Sequence, residues 1–358
     1  MVNRRIWQVS ALGLSVATLL TACNPPMPES LKVELAERTV QCGEEFVESK
    51  VLSEFVDIAD FWNSSMDVAC SGSMGLTVVD GYPAGAGLVI SEEDIKGCTP
   101  YVSVPLAVDA AVFSFMFLDI YEINLSPEII VAIFRGEITN WADDRLTNLN
   151  PDAMLPDLPI NIIPEAPPGA ITAMEVWLSS ETGEAVKLDG LVPGEGSEVD
   201  ALYEMMEGDI KLTSFGSLQI AGMNYANMQI DEADPTSVVL PDVLTIQTGI
   251  GQTIAAGEAP NLTFVYDPSI PAEPLPGQFE ALRPWGALFP VTLALCGEDN
   301  LQTRFAARYL LRLDAQGSIS TGVFSPLKEE IRIASIALVD DGLPEVEIPE
   351  ELERELQQ

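Results

Sequence analysis

Glu165, Gly169 and Thr172 fall within one short stretch, PEAPPGAIT (164–172), that has the outline of a ligand-holding loop. A strand-like run, 158–163, feeds it and a helix-like run, 170–178, leaves it. Such a loop offers a carboxylate, a hydroxyl and a close backbone approach at glycine. Pro167 and Pro168 have no N–H, so the same loop is poor in backbone donors. Catalytic chemistry has less to draw on. There is no histidine among the 358 residues, which removes the usual general base, the usual zinc ligand and any Ser–His or Cys–His nucleophile pair. A Ser–Lys or carboxylate pair remains, but no motif singles one out. The chain is therefore not expected to be an enzyme, and neither a cofactor nor a metal is expected.

The five cysteines divide into one and four. Cys23 ends LTAC (20–23), which has the form of a bacterial lipobox, where a lipid is attached to the thiol and the peptide is cut before it. Ahead of it stand Arg4, Arg5 and a mostly apolar run, 6–20, too short for a comfortable membrane span. Residues 1–22 thus read as a lipoprotein signal peptide, against the alternative of an ordinary signal with a chance cysteine. Pro25, Pro26 and Pro28 make 23–37 a tether. Export implies an oxidising compartment, so Cys42, Cys70, Cys98 and Cys296 can form two disulfides, in any of three pairings.

An apolar content of 47% with 20% charged residues is that of a globular chain, and its length favours two domains. The charge is one-sided, with 55 acids against 17 bases. Loss of Arg4 and Arg5 on processing takes two more bases and no acid. Such a surface repels nucleic acid and anionic lipid, and nucleic-acid binding is excluded. Acidity of this degree also suits a saline medium, which would account for the composition without specifying a ligand.

Strand-like and helix-like runs alternate, which predicts an α/β fold. The pattern predicts helices over 91–97, 125–138 (Ser126 as cap, Pro127 first), 197–208, 240–257 and 300–317, and strands over 101–115, 261–267 and 287–296. The tail, 339–358, is acidic and interrupted by prolines, and reads as a solvated end.

Residues 124–163 carry a family resemblance. Leu125-Ser126-Pro127, Ile133-Phe134, Gly136, Ile138, Asn140-Trp141, Asp143 and Leu149-Asn150-Pro151, followed by a strand, resemble the second lobe of bacterial phosphate-binding proteins of the PstS type. CSGSMG (70–75), AGAGLVISEED (84–94), SFGSLQIAG (214–222) and PWGALFPVTLALC (284–296) are weaker echoes. The resemblance implies a type II periplasmic-binding-protein fold, with two α/β lobes and two hinge crossings. Lobe one is expected over 38–117 plus 287–338, and lobe two over 118–286. In that layout Cys42 and Cys70 end adjacent strands, while Cys98 and Cys296 flank an antiparallel pair, so the implied disulfides are Cys42–Cys70 and Cys98–Cys296.

The family grips phosphate with backbone N–H groups, hydroxyls, an arginine and aspartates. Its second-lobe loop, RSDGSGTT, aligns with 165–172. There Arg becomes Glu165, Asp becomes Pro167, the central Ser becomes Gly169, and only Thr172 keeps its hydroxyl. In lobe one, Ser73 keeps the first serine of a glycine–serine turn, the accepting aspartate falls on Gly87, and the first ligand loop has no recognisable counterpart near 41–46. Glu165 in place of a cation repels phosphate by about 4 kcal/mol per unit charge at ~4 Å. The resemblance thus implies a membrane-tethered solute-binding protein of an ABC import system, paired with a permease and held at the cell surface or periplasmic face by lipid on Cys23. Its ligand-facing residues would be Ser73, Glu165, Gly169 and Thr172, and its ligand a small molecule or ion other than phosphate. The other reading is a surface lipoprotein that has lost binding and serves as scaffold, partner-binding or sensor subunit.

Overall fold

A computed structural model of the chain describes residues 39–344 apart from 93–94, 195 and 321–322. The signal peptide, Cys23, the tether and the tail from 345 onward lie outside the described residues. Fourteen strands are described: β1 (Phe46–Lys50), β2 (Gly75–Val78), β3 (Gly87–Ser91), β4 (Pro100–Phe115), β5 (Ile123–Leu125), β6 (Asn161–Ile163), β7 (Glu165–Ala166), β8 (Val192–Pro193), β9 (Asp209–Ser214), β10 (Ala226–Gln229), β11 (Val238–Val239), β12 (Thr253–Glu258), β13 (Asn261–Tyr266) and β14 (Leu288–Cys296). Ten helices accompany them: α1 (Val56–Ala69), α2 (Pro127–Phe134), α3 (Asp144–Leu149), α4 (Pro168–Thr182), α5 (Glu198–Tyr203), α6 (Phe215–Ala221), α7 (Val243–Ile250), α8 (Leu301–Leu310), α9 (Leu313–Ile319) and α10 (Glu329–Asp340).

The long strand β4 organises the molecule. Its apolar, β-branched run is buried on both faces, as expected of a central strand. Its first part pairs antiparallel with β14, from Pro100 opposite Cys296 to Ala110 opposite Leu288. Its last five residues pair antiparallel with β9, which in turn carries β6 in parallel. The main path runs β12-β13-β4-β14-β3-β1-β2. Because β1 is parallel to both β2 and β3, the C-terminal ends of these three strands share one edge. The indole N–H groups of the buried Trp62, Trp141, Trp177 and Trp285 each reach an acceptor: the Ala315 carbonyl and Ser318 hydroxyl, the Gly208 carbonyl, the Glu181 carboxylate and the Ala111 carbonyl respectively. Burying an aromatic with a polar handle needs that partner.

Capping residues placed several elements where expected. Ser126 accepts from the Ile129 N–H and Pro127 opens α2, while Ser197 caps α5. Other expectations change. Ser91 ends β3, paired with Thr292 of β14, and opens no helix among the described residues. The 240–257 run is a helix only to Ile250. Asp242 and Thr245 close a capping box at its start, and the chain then returns as β12, paired residue for residue with β13. The 300–317 run is broken at Arg312, whose backbone is extended and whose guanidinium binds Asp314. Val339 is buried and, with Asp340, closes α10.

Both expected disulfides are present, with Cα–Cα separations of 5.5 Å for Cys42–Cys70 and 5.8 Å for Cys98–Cys296. The reason for the first differs from expectation. Cys42 precedes β1 and Cys70 is the residue that ends α1, so the bond ties a loop to a helix end rather than two strands. Among the described residues no helix is long and apolar enough to cross a membrane.

Candidate functional site

Two cavities flank one carboxyl group, that of Glu92. The first, about 280 Å³, is lined by Lys50 to Glu54 at the end of β1, by Ile90 to Glu92 at the end of β3, and on the facing side by Pro167, Gly194, Gly196 to Glu198 and Ser217. The second, about 350 Å³, is lined by Glu92, the first turns of α4 (Pro168, Gly169, Thr172), β13 residues and Phe289. An open depression of about 730 Å³ elsewhere, around Phe117, Tyr121 and Met154, is larger. The Glu92 cavities are the better candidate because a buried, unsatisfied acceptor faces them.

Four carboxyls converge here from four segments. Glu54 lies in the short turn between β1 and α1. Its carboxylate accepts from the Ser53 hydroxyl at 2.7 Å and, across the cavity, from the Ser217 hydroxyl of α6 at 2.9 Å. Asp109 stands in the otherwise apolar β4 and is buried. It accepts from the Ala110 N–H at 2.6 Å and the Gly216 N–H at 3.1 Å. Glu198, at the start of α5, accepts from the Thr213 hydroxyl at 3.0 Å and pairs with Lys211 at 3.2 Å. Glu92 hydrogen-bonds Asp109 with one oxygen, and its buried Oε1 has no hydrogen-bond partner among the described residues.

The electrostatics follow from that geometry. Burial, then the charge and hydrogen bond of Asp109, then the fields of Glu54 and Glu198 push the Glu92 carboxyl well above the usual range. Burial pushes Asp109 up to about 6, opposed by hydrogen bonds from Glu92, Ala110, Gly216 and Ser214. Glu198 is raised by burial, opposed by Lys211 and Thr213. A hydrogen bond between two carboxyls requires a proton, and the upward shift of Glu92 makes it the donor to Asp109. Lys211 is fully buried and committed, since its ammonium also donates to the Glu165 carbonyl. Lys50 lies over the Tyr82 ring, 4.2 Å from its centroid. Among the described residues no group of three or more His, Cys, Asp or Glu is placed to hold a metal ion.

The expected ligand residues separate. Gly169 and Thr172 share the second cavity, where the Thr172 hydroxyl donates back to the Pro168 carbonyl at 3.2 Å. Gly169 lets α4 approach β14, since a Cβ there would stand 2.5 Å from the Phe289 ring. Pro167 caps α4 and Pro168 is its first residue, so two N–H groups that a helix start normally presents are missing, leaving those of Gly169 and Ala170. Glu165 is exposed on β7 and contributes its carbonyl to Lys211. Ser73 lies before β2, at the opposite edge of the sheet, and its hydroxyl donates to the Gly43 carbonyl at 2.8 Å; it lines neither cavity.

Gly87 does not stand where an accepting carboxylate could. It opens β3 opposite Cys296, and a Cβ there would meet the Glu48 carbonyl at 2.5 Å. The cavity end of β3 carries Glu92. Likewise the loop leaving β1 toward the cavity is 51–55, not 41–46. Glu54, Glu92, Asp109, Glu198 and Lys211 had been missed. For one of them a signal existed: Asp109 is the lone charge inside a strongly apolar strand run, and buried charges are costly without partners.

No protein-family model matches this chain, and no curated protein is similar to it by sequence. Solved structures are similar. The periplasmic phosphate-binding protein PfluDING, bound with phosphate, is 14% identical over 82% of this chain and 93% of its own, with a TM-score of 0.51. An ancestral soluble variant of the human phosphate-binding protein gives the same identity, coverage and TM-score. A human phosphate-binding apolipoprotein is 15% identical over 82% and 94%, with a TM-score of 0.50. The fold is that of a type II periplasmic binding protein. The resemblance read from residues 124–163 is thereby borne out at the level of fold. In such a fold the parallel strands β1, β2 and β3 turn their C-terminal ends to the ligand crevice, which is where Glu54 and Glu92 stand.

Proposed function

We propose that this chain is the solute-binding component of an ABC-type importer and that its crevice no longer takes phosphate. The reading includes two lobes, roughly 38–117 plus 287–338 and 118–286, a lipid anchor at Cys23 holding it to the outer or periplasmic membrane face, and a permease as partner. The observation that carries it is the composition of the crevice. Three carboxyls line it, those of Glu54, Glu92 and Glu198, with Asp109 buried behind Glu92; the buried cation Lys211 is spent on Glu198 and the Glu165 carbonyl, and two prolines replace amide donors at the start of α4. A phosphate dianion there would meet carboxylates and few donors. Losing one charge-assisted hydrogen bond costs about 1.5–3 kcal/mol, or about 10–150-fold in affinity.

Thermal unfolding of the processed chain with inorganic phosphate, and with a panel of neutral and cationic solutes, tests this. A solute at about 100 times its Kd adds about 2.7 kcal/mol to stability. We expect no shift with phosphate and a shift with another solute. A micromolar phosphate isotherm overturns the reading. The second reading, a scaffold or sensor without a ligand, is favoured by the Ser217–Glu54 hydrogen bond, which ties the two walls of the cavity directly to each other. It predicts no shift with any solute.

A further inference from the structure

We propose that the crevice selects a small primary ammonium compound, whose N–H groups are taken by Oε1 of Glu92 within the carboxylate frame of Glu54 and Glu198. This rests on the solute-binding reading above and adds the chemical class of the solute. Oε1 of Glu92 is buried, has no hydrogen-bond partner among the described residues, and belongs to a side chain that faces both cavities. A buried acceptor left unmade is costly, and its completion by a ligand donor is correspondingly favourable. The missing partner must be a donor, because carbonyl and carboxylate oxygens only accept.

The surrounding charges decide which donor. Glu54 from the β1–α1 turn, Asp109 from β4 and Glu198 from α5 face Glu92, and the cations nearby are Lys211 of β9 and Lys50 of β1. Lys211 is neutralised by Glu198, and Lys50 is drawn to the Tyr82 ring. The remaining field is negative, so a positive donor is favoured over a neutral hydroxyl and an anion is rejected. Ser53 and Ser197, on facing walls of this cavity, can take a hydroxyl or second amine of the solute. A cavity of about 280 Å³ has room for about nine water-sized groups, enough for a small amine with its hydration.

Protonation sharpens the test. The hydrogen bond between the Glu92 and Asp109 carboxyls is made through a proton. An ammonium seated at Oε1 favours the carboxylate, so binding expels that proton: the Glu92 O–H bond breaks, the proton bonds to the buffer base, and the charge on the pair becomes more negative by one as the ligand brings one positive charge.

The experiment is titration calorimetry of the processed chain at pH 7 with ethanolammonium, glycerol, tetramethylammonium and inorganic phosphate, each in two non-amine buffers of different ionisation enthalpy. Ethanolammonium is expected to bind with a Kd of roughly a millimolar or tighter, because a ligand of four heavy atoms is limited in affinity, and to release protons. Tetramethylammonium, which lacks N–H, glycerol, which lacks charge, and phosphate are expected to bind at least about tenfold more weakly. Glu92→Gln keeps a donor for Asp109 and the shape of the site. It should retain the native circular dichroism, lose about tenfold or more in ethanolammonium affinity, and abolish proton release. Glycerol binding as well as ethanolammonium, or unchanged affinity in Glu92→Gln, overturns the proposal while leaving solute binding intact. Absence of ethanolammonium binding together with a shift by another solute does the same. Absence of any shift across the full solute panel overturns both this proposal and the solute-binding reading.

Discussion

Burial and Asp109 push the Glu92 carboxyl well above its usual range, and this ties folding to pH. Both carboxyls are raised in the folded protein, Glu92 above 4.5 and Asp109 from 3.8 to about 6. The folded state therefore holds more protons than the unfolded chain across that range, and stability falls as pH rises through it. The contribution is fully present below the unfolded values, near pH 4, and is lost above the folded ones. Glu92→Gln removes one of the two titrating groups while preserving the hydrogen bond to Asp109. Melting curves from pH 4 to 8 should show the variant more stable than the parent at pH 8, with the two converging toward pH 4. Parallel curves would show that the pair does not hold the proton. Little of this was visible in the sequence. The environment of Glu92 is built by residues 54, 109 and 198, which share no spacing that a reader of the chain could use. The glycine-rich stretch before it drew the expected carboxylate position to Gly87, five residues early, because strand ends are fixed by pairing across the sheet, here with Cys296, and not by the letters of a motif.

Elements were far more legible than their junctions. β4 announces itself by a continuous apolar run, and α2 by Ser126 and Pro127, because burial and capping act within a few residues. The start of α4 shows what local reading leaves out. Gly169 looks like a ligand-loop glycine, yet in the fold it is the contact that seats α4 on β14 against the buried Phe289. Gly169→Ala gains about 1 kcal/mol of helix propensity and loses about 1–3 kcal/mol to overpacking. Because the near atoms belong to the root of a ring with little room, the net effect should be a loss of about 1 kcal/mol in urea unfolding. In a Phe289→Leu background the same change should cost less or become favourable, and a coupling energy near zero would remove the contact from the account. The disulfides allow a second comparison at this scale. Cys98–Cys296 closes 198 residues of sequence and Cys42–Cys70 closes 28. In the chain-entropy view the longer bond is worth about 1.7 kcal/mol more. The double alanine variant at 98 and 296 should therefore unfold at lower urea than the one at 42 and 70. The reverse order would place the advantage of these bonds in the folded state rather than in the unfolded chain.

The whole molecule carries a formal charge of −38, and its interior makes the exterior still more one-sided. Lys211, Arg304, Arg308, Arg312 and Arg332 are all buried, and each is bound to a carboxylate: Glu198, Asp299, Asp340, Asp314 and Glu329. Five of the 17 basic side chains are thus withdrawn from the surface. Repulsion among the remaining acids acts over distances comparable to the screening length, about 10 Å at 0.1 M salt and about 3 Å at 1 M. Raising salt should therefore relieve the surface, while ion pairs at contact with a buried cation are screened much less. The melting temperature of the processed chain at pH 7 is expected to rise steadily from 10 mM to 1 M sodium chloride, and to rise alike in potassium chloride, since screening depends on ionic strength and not on the identity of the cation. The gain should shrink at pH 4, where many carboxylates are protonated and there is less repulsion to screen. A flat response at pH 7 would mean that the acids are spaced widely enough not to interact. A response in one salt but not the other would point to ion binding at particular places. A fall with salt would assign the dominant role to the five buried pairs.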